Sequence, residues 1–336
     1  MSRMNSPLFV GGVQVGLPLG SSNARVPTPG GRILYVGNLA AATSLKESMV
    51  PGNGSSPDEP LATLFGANGA MAQLQNRKNV GDIIYVLPGH VESVAVADAA
   101  SATGSASGFS VIGLGSGTNR PAFNWTAATS TWLLDTSGVE LSNLILNFAV
   151  TAATVVATPI TVSAANCRIV DCFINWGAST TIGCGSTLGA IAVTAAADYF
   201  DFIGNFCLNL DVAGTAGQAI TLLSLNGADF CKLNNNKIFG STTATTVGAI
   251  HFVTTLSRNV EIIGNYIENL IASSTIAISS LIAGVTGFVG YNQLRVNSAI
   301  SPITVSANMS TTLFQNYCAD TVNQSGALVV GAGTST

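Results

Sequence analysis

Residues 200–207, FDFIGNFC, decide how this chain is read, because their pattern returns as CKLNNNKI at 231–238 and VEIIGNYI at 260–267. Shorter copies follow as GYNQL at 290–294 and FQNYC at 314–318, and an earlier one, CRIVDCFI, stands at 167–174. One asparagine keeps its place through five of them: Asn205, Asn236, Asn265, Asn292 and Asn316, each two residues before an apolar position. It recurs after 31, 29, 27 and 24 residues, a spacing that predicts a solenoid of stacked supersecondary units. A parallel β-coil has a use for the same polar residue at every level. Identical amides at a repeated bend can hydrogen-bond to one another up the stack. Asparagine also tolerates the left-handed backbone that such a bend can require.

A second apolar segment accompanies each copy: PITVS at 159–163, AIAVT at 190–194, AITLL at 219–223, AIHFV at 249–253, AISSL at 277–281, PITVS at 302–306 and ALVVG at 327–331. These segments are too short, and the stretches between them too rich in turn residues, for a βαβ fold. Alternation predicts that Ile160/Val162, Ile191/Val193, Ile220/Leu222, Ile250/Phe252 and Ile303/Val305 point inward. The outward row is then Thr161, Ala192, Thr221, His251, Ser279 and Thr304. It is small and nearly uncharged, a face suited to burial against another subunit.

The asparagine-bearing copies predict a different outward row, Glu140, Arg168, Asp201, Lys232 and Glu261, alternating in sign at each level. Exposed pairs of this kind contribute only ~0–1 kcal/mol each. Their expected value is in setting register, since a slipped coil would bring like charges together. The same register stacks Cys167 and Cys231 inward with Phe200 and Val260, two levels and roughly 10 Å apart, too far for a disulfide. Cys207 and Cys318 take places held by Ile174, Ile238 and Ile267 in another inward row. Buried, reduced thiols are the expectation.

Composition narrows the class. Of 336 residues 47% are hydrophobic and only 8% charged, against about 25% charged in average soluble domains. No run approaches the ~20 apolar residues that span a bilayer, and regular apolar periodicity argues against disorder. A β-rich subunit living within an assembly remains. A net charge of −4 with 12 Lys+Arg argues against nucleic acid as a partner.

Residues 1–31 are rich in Gly, Pro and Ser yet keep Leu8, Phe9, Val10, Val13, Val15 and Leu17. Two readings stand: a loose terminus, or an extended arm that orders against a neighbouring subunit. Residues 32–336 read as one domain. DEPLATLFGANGAMAQLQN predicts a helix over about 60–75, with Asp58, Glu59 and Pro60 at its N-terminus. Such a helix would cap the open end of the solenoid.

Sites of chemistry are few. GLGSG at 113–117 reads as a glycine turn, since no helix follows before Pro121. His90 and His251 read as ordinary surface or turn residues, and neither histidines nor cysteines have metal-ligand spacing. Asp198 with Asp201 is the nearest carboxylate pair, with Asp171 or Asp229 on adjoining levels. Trp125, Trp132 and Trp176 are candidates for stacking on sugars. No catalytic residue, cofactor or metal is expected.

GDIIYVLPGHVESV at 81–94, GFSVIGLGSGTNRPAFNW at 108–125 and GVELSNLIL at 138–146 resemble the opening coils of phage-encoded right-handed parallel β-helix proteins. That family shares the pectate-lyase-like superfold with tailspikes. The resemblance, over about 32–330, implies an all-β right-handed parallel β-helix and a subunit of a phage particle, forming a homotrimer. It transfers no catalytic residue, because no acidic cluster of the family's enzymes can be matched here. The expected role is a non-enzymatic capsid decoration or cement subunit. It would bind the phage major capsid protein or another virion protein, after assembly in the host bacterial cytoplasm. The alternative is a tail spike or fibre that binds or cleaves host surface polysaccharide.

Overall fold

In a computed structural model of the chain, the described residues are 31–37, 53–66, 68–74, 81–95, 108–127, 129–148, 158–177, 189–209, 221–240, 247–268, 276–280, 282, 284–296 and 315–317, with 75 and 269 described in backbone. The backbone alone is also described at 9–10, 13–14, 97–99, 303–304, 310–314, 318–320 and 327–329. The architecture is an all-β parallel solenoid. Two ten-stranded sheets and one of eight strands run along it, and between its first and last strands each strand pairs in parallel with its counterparts one level away, not with its neighbour in sequence.

Sheet I runs from Ile33–Val36 to Ser310–Phe314. Sheet II runs from Val91–Val94 to Asn316–Asp320 and ends on the antiparallel strand Ala327–Val329. Sheet III runs from Ala97–Ala99 to Ile303–Thr304. Each level visits I, II and III in turn, so three narrow strands enclose a core one side chain deep per strand. Leu141, Ile169, Phe202, Leu233 and Ile262 form the inward row of sheet I, in register and buried. Ile174, Cys207, Ile238 and Ile267 form that of sheet II, the cysteine standing in an isoleucine's place.

Two expectations need correction. The helix spans only Ala70–Gln75. Leu61 is extended and bridges Val36, and Gly66 turns the chain at φ 84°. The amides of Leu64 and Phe65, which a helix starting near residue 60 would need, donate instead to the Glu92 carboxylate at 2.7 and 2.9 Å. His90 Nε2 shares the same carboxylate at 2.9 Å. Leu64, Phe65, Met71 and Leu74 nevertheless belong to the continuous core, and the Phe65 ring meets Trp132 edge-on at 4.9 Å.

The second correction concerns register in sheet III. Ile191 pairs with Leu223 and Ala192 with Ser224, three residues later than the spacing of apolar residues suggested. Ser224 therefore takes the outward place expected for Thr221. Thr221 is buried, with its hydroxyl donating to the Ala249 carbonyl at 2.9 Å. A three-residue slip in a period-two element exchanges its faces.

The Glu92 contacts give a direct test of how residues 61–75 are held. Gln at this position is neutral and keeps one carbonyl acceptor where the carboxylate had two oxygens, so both buried N–H groups lose a charged partner and one of them loses its acceptor. We expect Glu92→Gln to cost about 2–3 kcal/mol in urea unfolding. A loss below about 0.5 kcal/mol would show that apolar packing alone holds the segment.

Candidate functional site

The corner between sheets I and II is a two-residue bend, and its first residue carries the left-handed backbone. That residue is Gly204, Asn235, Gly264, Tyr291 or Gln315, at φ 70°, 57°, 67°, 56° and 46°. The ladder asparagine comes second. Asparagine is therefore selected here for its amide, and the left-handed conformation falls to its predecessor.

The interior amides are used fully. Asn236 donates its main-chain N–H and its Nδ2–H to Asn265 Oδ1, both at 2.9 Å, and a second Nδ2–H to the Phe202 carbonyl at 2.8 Å. Asn265 does the same toward Asn292 Oδ1 at 2.9 Å for both bonds, and toward the Leu233 carbonyl at 2.7 Å. Asn205 and Asn292 repeat the pattern toward Asn236 and Asn316. Both donors and both acceptor lone pairs of the interior amides are satisfied at full burial. The series begins at Asn205, whose Oδ1 receives only the Cys172 N–H at 3.0 Å.

The charge row lies in register from Glu140 through Arg168, Asp201 and Lys232 to Glu261. Only its first half closes into ion pairs. Arg168 donates to Glu140 at 2.9 Å and to Asp201 at 3.1 Å. Lys232 pairs with neither neighbour among the described residues, and Glu261 takes a hydrogen bond from the Asn234 amide. Glu140 is almost fully buried, so it is its attachment to Arg168 that makes its charge tolerable.

The carboxylates considered for catalysis hold the chain in place. Asp198 Oδ1 accepts the Asp229 N–H at 2.8 Å, Asp229 Oδ1 accepts the Arg258 N–H at 2.6 Å, and Asp201 holds Arg168. Burial raises the pKa of Asp171, with the Arg120 guanidinium acting in the opposite sense. All three tryptophans are buried in the core and present no ring to solvent. Both histidines are buried as well, contrary to the surface reading. His251 shares a 2.7 Å hydrogen bond with Ser279, and burial lowers its pKa.

Cys167, Cys172, Cys207 and Cys231 are free and buried. Burial pushes the Cys167 thiol up to about 11 and those of Cys172 and Cys231 up to about 12, which removes them from nucleophilic chemistry at neutral pH. Among the described residues no group of three or more His, Cys, Asp or Glu is placed to hold a metal ion. GLGSG is a turn that leaves sheet I, with Gly115 at φ 104°, and, contrary to expectation, a single turn of 3-10 helix, Gly117–Asn119, follows it before Pro121. No helix of the described residues is long and apolar enough to cross a membrane.

The small outward row on sheet III is not an open face. Ala192, Ser224, His251 and Ser279 are 9%, 2%, 4% and 1% exposed, so the chain itself covers them. Thr161 is half-buried, while Thr304 is described in backbone only, paired with Ser279. In the arm, Phe9–Val10 pairs antiparallel with Val13–Gln14 in backbone, and Leu8, Val15 and Leu17 lie outside the described residues.

Among the described residues the outer side of sheet II is an open face, which the sequence reading passed over. Its column follows the register Val91, Ala122, Ile145, Phe173, Phe206, Lys237, Tyr266, Gln293, Tyr317. Phe173 and Phe206 stack at 5.5 Å and 9°, and Phe239 continues the series between Phe206 and Tyr266 at 5.3 Å on each side. Lys237, Phe239, Tyr266, Tyr291 and Gln293 also line a shallow groove of about 440 Å³. The signal was present: from Asn205 on, each column residue directly follows a ladder asparagine, as in NF, NK, NY, NQ and NY.

Removing an interior amide should cost more than removing the terminal one. Asn265→Ala strands the Asn236 N–H and amide together with the Leu233 carbonyl, and we expect a loss of about 3–5 kcal/mol. Asn205→Ala leaves fewer groups unpaired and should cost about 2 kcal/mol. Equal losses in paired denaturation curves would contradict the cooperative spine.

Compared with known protein families, with curated proteins and with solved structures, the chain matches none. Its functional reading therefore rests on geometry.

Proposed function

We propose that the chain is a non-enzymatic structural subunit of a bacteriophage particle, a decoration or cement subunit that binds the shell and stabilises it. The coil is taken as right-handed, the hand that parallel crossovers overwhelmingly adopt. The observation that carries the reading is how the polar groups are spent. The asparagine amides, Asp198, Asp229 and the Arg168 pairs tie one level to the next, while aromatic rings stand on the outside. A rod stiffened in this way, with 8% charged residues and exposed rings, suits permanent contact with other proteins. The apolar arm supplies the anchor in this reading.

A tail spike or fibre that binds host polysaccharide is the second reading, favoured by the exposed ring series on sheet II. Quantifying the subunit against the major shell protein in purified particles separates the two. A decoration subunit is present in the same molar range as the shell protein. A ratio of a few per particle would sink the decoration reading and support the spike.

A further inference from the structure

We propose that the outer face of sheet II is where two copies of this chain pair, antiparallel, about a two-fold axis at Phe206. The proposal deepens the reading of the chain as an assembly subunit and identifies its self-contact. Sheet III cannot serve, because the chain already covers it. On sheet II, Val91, Phe206 and Tyr317 are 52%, 37% and 47% exposed, at the start, middle and end of one continuous column.

Size permits a specific contact. Eight steps between neighbouring levels give a face about 38 Å long. A three-residue strand plus the two-residue corner is about 17 Å wide. The product, roughly 650 Å², approaches the ~800 Å² per partner of a standard interface.

A second copy fits this face better than another partner because the pitch matches. The ridge repeats at ~4.8 Å, and a second solenoid presents side chains at the same period, so that every level of one face meets one level of the other along its whole length. The face carries little net charge, since Glu268 lies 3.6 Å from Arg295.

The column is uneven, and this sets the direction. Val91, Ala122 and Ile145 make a small half, while the rings lie from Phe173 onward. An antiparallel two-fold axis at the central Phe206 sets Val91 against Tyr317 and Ile145 against Tyr266. It also places Lys237 over the Phe173 ring, a cation–π contact. A parallel arrangement at one height, including the three-fold one implied by the resemblance, would bring Lys237 against Lys237.

Single-cysteine variants of the full chain test this by oxidative cross-linking, with the unmodified chain as background. Only a residue on the axis faces itself. Phe206→Cys should form a covalent dimer alone, whereas Val91→Cys and Tyr317→Cys should not, but should link to each other when mixed. Light scattering of the unmodified chain should give twice 34.1 kDa, and Phe206→Glu should give the monomer with its β circular dichroism intact. Self-linking of Val91→Cys or Tyr317→Cys would mean a parallel arrangement and overturn the proposal. So would an unmodified chain that stays monomeric. Neither result bears on the particle stoichiometry, so the two readings fail separately.

Discussion

The C-terminal half of the structure depends on satisfying one buried polar group at each of five successive levels, from Asn205 to Asn316. A chain that bends sharply between two sheets must turn main-chain N–H and carbonyl groups toward the core, where no water reaches them. The asparagine amide resolves this by matching two donors to carbonyls and two lone pairs to N–H groups. Because the receiving atoms belong to neighbouring levels, each bend is completed only by the next. Stability is thereby shared along the axis, as in other stacked repeats, and the spine gains from hydrogen bonds that polarise one another.

That constraint divides the surface into interior work and exterior display. Inward side chains are apolar, with the Cys207 thiol filling an isoleucine's place, and outward carboxylates near the corners hold main-chain N–H groups. Among the described residues the sheet II face stays open, and there the residue after each ladder asparagine points outward. Phe206, Tyr266 and Tyr317 occupy those places, where any polar residue would fold equally well. Tyr199 and Phe230 make the same point at the opposite corner: both are exposed, both have left-handed backbone at φ 60° and 59°, and their rings stack at 4.9 Å. Gly81, Gly108, Gly138, Asn166 and Asn259 hold that left-handed place at other levels, so the rings are displayed in spite of some backbone strain.

Much of this was legible in the sequence. The asparagine row, the charge register from Glu140 to Glu261, and the Cys207 place in the inward row all follow from spacing and period two. What was not legible depended on contacts between distant segments. The helix shortened because Glu92, some 28 residues away, takes the amides of Leu64 and Phe65. Thr221 changed place because AITLL fits two registers, and only pairing with Ile191 decides between them. The covering of Ala192 and Ser279 arises from other parts of the chain, which strand periodicity cannot report.

The central claim is that the asparagine spine locks each level to the next, and hydrogen exchange tests it most directly. The main-chain amides of Asn236 and Asn265 are predicted to exchange only through global unfolding, in the slowest class of the protein. Exchange of these amides by local opening, at rates near those of the exposed turns, would contradict the account.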